Sequence, residues 1–93
     1  GMKEQNEIRE RIVQLEEGRI FDYKTDLGTY STFKARKIEG DSVELIYNQY
    51  DAKYETDLHL VMVDKNITGE SQKVHKDQLL NWFDEGTVIH VHW

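Results

Sequence analysis

Cysteine is absent from these 93 residues, and so is proline. Without cysteine there is no disulfide scaffold, no thiolate zinc site and no cysteine nucleophile. Without proline, the turns must come from Gly, Asn and Asp. A basic surplus is also missing: 12 Lys and Arg stand against 18 Asp and Glu, a formal charge of −6. That balance argues against a nucleic-acid binder, because phosphate contacts need a basic face. No apolar run approaches the roughly 20 residues that cross a bilayer as a helix, so no membrane partner is expected.

What is present suffices for a core. Apolar residues make up 38% and aromatics 11%, too much for a disordered tail. Residues 1–93 read as one domain, since cores divide only beyond roughly 250 residues. Gly1 ahead of Met2 reads as a remnant of tag cleavage, and a cytoplasmic location is the default expectation. There is no internal repeat or linker.

Residues 3–17 are predicted to be a helix. Ile8, Ile12 and Leu15 fall at i, i+4 and i+7 with charged residues around them, and Gly18 is placed to end it. The stripe is narrow, so this helix must dock on its own sheet or on a second copy. Residues 19–24 form the first strand candidate, with Phe21 and Tyr23 on one side. Residues 42–50 and 53–64 each alternate apolar and polar side chains. A turn at Asp51-Ala52 would set Leu45 against Leu58, Val43 against Leu60 and Glu44 against His59, a consistent register. Before them, a bulged three-residue turn at Gly40 puts Phe33 and Ala35 on the face of Val43, Leu45 and Tyr47.

The chain closes with a short helix over 76–85 and a strand over 87–93. His75 is the expected cap, Val74 and Leu79 the staple around it, and Gly86 the terminator. In the last strand Ile89, Val91 and Trp93 alternate with Val88, His90 and His92. The fold class is therefore α+β. An N-terminal helix precedes a small, strongly curled antiparallel sheet of about five strands, a half-open barrel with a short helix before the last strand. The element order resembles that of the Src-homology-3-like barrels, with no shared motif, and fold alone does not assign function.

Chemistry-bearing patterns are few. His90 and His92 share one strand face about 7 Å apart, given roughly 3.4 Å rise per residue. They could bind a metal if Asp22 or His59 supplied a third ligand, although surface histidines are the commoner meaning of such a pair. There is no Gly-rich phosphate loop, no His-Glu-x-x-His and no nucleophile elbow, so catalysis is not expected and no cofactor is implied. Lys34, Arg36 and Lys37 form the densest basic segment, but Glu39, Asp41 and Glu44 are placed to neutralise it. Tyr30, Tyr50 and Tyr54 fall at loop or strand ends, where they could form a shallow aromatic groove. Tyr23 and Tyr47 are assigned mainly to the core. The leading expectation is a non-enzymatic acidic module that binds or assembles with another protein, one of basic character. A homodimer through Ile8, Ile12 and Leu15 is a variant of it. A metal- or small-ligand-binding protein using His90 and His92 comes second, and a small enzyme third.

Overall fold

The computed structural model describes residues 2–92. The placement of Trp93 beside Ile89 and Val91 on the core face, and the reading of Gly1, therefore lie outside the described residues. The elements are α1 (Met2–Val13), β1 (Ile20–Lys24), β2 (Tyr30–Glu39), β3 (Ser42–Tyr47), a one-turn helix α2 (Leu58–Val61), β4 (Ser71–His75), α3 (Lys76–Asp84) and β5 (Val88–Val91). Short 3-10 turns at Glu55–Asp57 and Asp64–Asn66 flank α2. All strand pairs are antiparallel, in the order β4-β3-β2-β1-β5. The fold is α+β with one five-stranded sheet whose edges, β4 and β5, are not joined to each other.

One face of the sheet carries the main core. Phe21, Phe33, Ala35, Val43, Leu45, Val74, Val88 and Val91 project from the strands and meet Ile12 and Leu15 from the N-terminal segment and Leu79 from α3. The helix α1 is shorter than expected. Its last helical bond runs from Gln14 N–H to the Glu10 carbonyl, and the chain then leaves to follow β2. Gly18 N–H donates to the Ala35 carbonyl at 2.7 Å, and the Glu17 carboxylate accepts from Ile38 N–H at 2.9 Å. Those bonds to the sheet replace the last turn that the apolar spacing suggested.

The parity of β2 and β3 is as expected, but it arises elsewhere. Glu39 pairs with Ser42 across a two-residue turn whose first residue, Gly40, has φ +61°, a conformation that glycine adopts without strain. The extra residue sits inside β2, where the register shifts between Ala35 and Lys37. That bulge at Arg36 brings Phe33 opposite Tyr47 and Ala35 opposite Leu45. A second shift, between Asp22 and Tyr23, sets Val88 opposite Tyr23 and Val91 opposite Phe21. Val88 is consequently a core residue, contrary to strict alternation, and Ile89 is only half-buried.

The larger correction concerns residues 53–64. They form no strand, and Leu58 does not face Leu45; Leu45 pairs with Gln72 and Val43 with Val74 of β4. The 48–70 segment instead crosses the back of the sheet, burying Ala52, Leu58 and Ile67 outside the main core. Such satellite clusters form under long connections. Asn48 pins it. Its buried amide donates to Thr32 Oγ1 at 3.1 Å and to the Val61 carbonyl at 2.7 Å, and its Oδ1 accepts from Tyr50 N–H at 2.8 Å. α3 begins as expected: His75 Nδ1 accepts from Asp77 N–H at 3.1 Å, and Gly86, at φ +84°, follows its end.

Candidate functional site

The bulge in β2 has a consequence at the opposite end of the sheet from the Gly40 turn. It keeps Phe33 and Tyr47 opposite each other on the helix-covered face, and the unbroken β1–β2 register adds Phe21 opposite Phe33 and Tyr23 one position further on the same face. Phe21 and Phe33 stack with centroids 4.7 Å apart; Tyr23 tilts over Phe33 at 5.3 Å and meets Tyr47 edge-on at 5.8 Å. Trp82 of α3 approaches Phe33 edge-on at 6.1 Å. The turn after α3 is fixed to β1, since Lys24 N–H donates to the Thr87 carbonyl and Thr87 N–H to that of Trp82, both at 2.8 Å. This holds the indole beside the tyrosines.

Phe33 is the buried floor, whereas Tyr23, Tyr47 and Trp82 are only half-buried. Between them lies a groove of about 410 Å³, lined also by Lys24, Thr25, Asp26 and Thr87. Past Tyr23 and Tyr47 it continues into a second hollow bordered by Asn48, Gln49, Gly69, Glu70 and Gln72. Gly69 is required there by space: a Cβ would stand 2.8 Å from the Tyr47 carbonyl oxygen, which Gly69 N–H already bonds. Tyr47 donates its hydroxyl to Gln72 Oε1 at 2.8 Å.

Burial raises the Tyr47 hydroxyl pKa to about 12, with the neighbouring Tyr23 adding to it. Tyr23 is raised as well, first by burial, less by the negative charges of Asp51 and Asp26, and against a bond to Ser31. Both phenols stay neutral near pH 7 and offer hydroxyls at the rim of an aromatic floor. Neutral phenols and an indole make large, rigid contacts with a polar edge.

The expected tyrosines lie elsewhere. Tyr50 and Tyr54 are 56% and 58% exposed, and Tyr30 is half-buried. A bridge between Tyr30 and Ala52 draws their loops together, but among the described residues their three rings do not pack on one another. Tyr54 lies under Lys53, whose ammonium is 5.4 Å from the ring centre. Sequence parity assigns Tyr23 and Tyr47 mainly to the core. The rings of Tyr23, Tyr47 and Trp82 are each partly buried, and their exposed parts line the groove. The signal available was that Tyr23, Phe33 and Tyr47 share a face in neighbouring strands.

On the back of the sheet, β1 and β5 bring Asp22, His90 and His92 together. His92 Nε2 lies 3.0 Å from both oxygens of Asp22, and the His90 and His92 rings meet edge-on at 4.6 Å. Asp22 is thus the candidate that arrives. His59 is on α2, its Nδ1–H donating to the Thr56 carbonyl at 2.9 Å. Among the described residues no three His, Asp or Glu side chains are arranged to hold a metal ion. Of the other expected face, Ile12 and Leu15 are buried in this chain's own core and Ile8 packs against it. The basic segment is neutralised locally, by Lys34–Asp64 at 3.5 Å, Lys37–Glu39 at 3.0 Å and an Arg36–Glu44 pair.

Comparisons with protein-family models, with curated proteins and with solved structures find no match.

Proposed function

We propose that this protein is a non-enzymatic binding module for another protein, engaged through the aromatic groove between the sheet and α3. The observation that carries this reading is the partial exposure of Tyr23, Tyr47 and Trp82 on a fixed floor, Phe33. Tyr and Trp are the side chains enriched at the centres of protein interfaces, and a rigid sheet loses little freedom when it presents them. The net charge of −6 favours a basic partner. We also read the element order of the open sheet as Src-homology-3-like, a likeness that assigns no function by itself.

The test is capture of partners on the immobilised chain, with and without chelator, beside a Tyr47→Ser, Trp82→Ala double variant. A chelator-insensitive partner held by the wild type and lost by the variant supports the module. Capture that survives the double substitution overturns the groove as its site.

A second reading, metal or small-ligand binding through His90 and His92, draws on their convergence with Asp22. Any ion entering there must displace the existing Asp22–His92 bond. Metal-dependent thermal stabilisation that disappears in a His90→Ala, His92→Ala variant would favour this reading over the first.

A further inference from the structure

We propose that the groove between Tyr23, Tyr47 and Trp82 is an anchor pocket for an arginine side chain of a basic partner polypeptide. This rests on the binding-module reading and specifies its chemistry. Aromatic faces carry negative potential, and a planar guanidinium both stacks on them and sheds its weak hydration readily. The groove supplies three partly exposed rings over the Phe33 floor.

Its rim adds charge of the complementary sign. Asp26 lines the groove, and Glu70 borders the adjoining hollow. Asp51, whose carboxylate accepts from the Thr29 hydroxyl, joins Asp26 in acting on the Tyr23 hydroxyl. The lining of the groove and its adjoining hollow thus carries two carboxylates, Asp26 and Glu70, against one cation, Lys24, with Asp51 close behind Tyr23. An uncharged apolar anchor would gain nothing from that surplus, and an anionic one would be repelled. Among cationic side chains arginine fits best: its fork can bond a carboxylate such as Asp26 while its plane lies on an aromatic ring, which a compact ammonium cannot do.

The other candidates are weaker. Asp22 is already bonded to His92, against whose ring His90 packs edge-on, and the exposed Leu60 and Val63 on the 48–70 segment have nothing beside them among the described residues that specifies a partner.

Short Gly/Ser peptides with a central arginine, lysine or citrulline, titrated into the 15N-labelled chain, test the proposal. The arginine peptide is expected to shift the Trp82 indole N–H and the Tyr23 and Tyr47 amides saturably. Citrulline, which keeps the shape and loses the charge, should bind roughly tenfold or more weakly, and lysine should fall between them. Trp82→Ala and Asp26→Asn should each weaken the arginine peptide by roughly 5- to 30-fold. Leu60→Ser, on the opposite side of the sheet, should leave it unchanged. Trp82→Leu keeps an apolar side chain without the aromatic face, so it decides the matter if Trp82→Ala does not fold.

Equal binding of citrulline and arginine peptides overturns the proposal, as does saturation by tetramethylammonium where the arginine peptide gives no shift. If the arginine preference is absent but a captured partner still depends on Tyr47 and Trp82, the arginine inference falls and the binding module stands. If that capture also survives the double substitution, both fall.

Discussion

At the scale of single residues, the polar side chains that matter are those that sequence pattern cannot place. Asn48 falls among the alternating positions of the 42–50 strand candidate, yet it is a buried clasp beyond the end of β3 with bonds to Thr32, Val61 and Tyr50. Replacing it by alanine leaves the Thr32 hydroxyl and the Tyr50 N–H without that partner. Asn48→Ala should cost about 2 kcal/mol, read as a lower urea midpoint at unchanged slope. An unchanged midpoint would mean that water replaces the clasp freely.

His90 supplies a pH-dependent term. Its pKa is lowered, first by burial and then by the charge of His92, against an opposing pull from Asp22, with a still weaker lowering from Arg11. The unfolded chain therefore takes up this proton before the folded one does. Stability from this group is complete above its ordinary value of 6.5 and declines as the pH falls through and below it. Melting followed from about pH 7.5 to 5.5 should show a decline that is shallower in His90→Gln than in the wild type. Parallel curves for the two proteins would remove His90 from the acid response. The adjacency of His90 and His92 was readable from their i, i+2 spacing. The arrival of Asp22 depended on which strand lies alongside, and that is a matter of topology.

At the scale of elements, the legible ones were those whose local signal agreed with their tertiary use. α3 carried a cap, a staple and a terminating glycine, and β1 to β3 had one face buried by a helix. β4 was missed because Ser71–His75 offers one buried apolar residue, Val74, on an edge strand otherwise exposed. Residues 58–63 drew the strand assignment because they alternate, but β3 has a single free edge and β4 occupies it. Their burial instead follows one turn of helix: Leu58 is buried, Val61 and Met62 are half-buried, and Leu60 is 66% exposed.

The N-terminal helix makes the complementary point. Its stripe was correctly read as one that needs cover, and the cover is the chain's own sheet. Arg11 donates to the Val91 carbonyl at 2.7 Å, and an Arg9–Asp84 pair joins α1 to α3. Ile12 is wholly buried there, so Ile12→Ala should lower stability by about 3 kcal/mol in chemical denaturation. That loss should not vary with protein concentration. A midpoint that falls on dilution would instead mean that the stripe is shared between copies.

At the scale of the whole molecule, the sheet divides the chain into parts of unequal stability. β1, β2 and β3 are bonded on both sides and hold the aromatic stack together with most of the core. The 48–70 segment is held to the sheet by Asn48, the Tyr30–Ala52 bridge, a bond from the Ser31 hydroxyl to the Tyr50 carbonyl and the Lys34–Asp64 pair. The small cluster of Ala52, Leu58 and Ile67 adds to these, and residues 58–66 pack mainly through it. Local opening of so lightly attached a segment costs less than global unfolding. Amides of Phe21, Phe33 and Leu45 should therefore exchange with solvent only by global unfolding, and those of residues 58–66 by a cheaper local opening. Asn48→Ala should accelerate the second set well beyond the change it makes to the first. Equal acceleration of both sets would show that the segment opens only with the whole sheet. The far end of this segment, Gly69 and Glu70, borders the groove and is bonded to Tyr47. A partner seated on Tyr47 would therefore slow exchange at residues 66–72 even without touching α2. The two bonds between Tyr47 and Gly69–Glu70 join the cover on the back to the aromatic front of one small sheet.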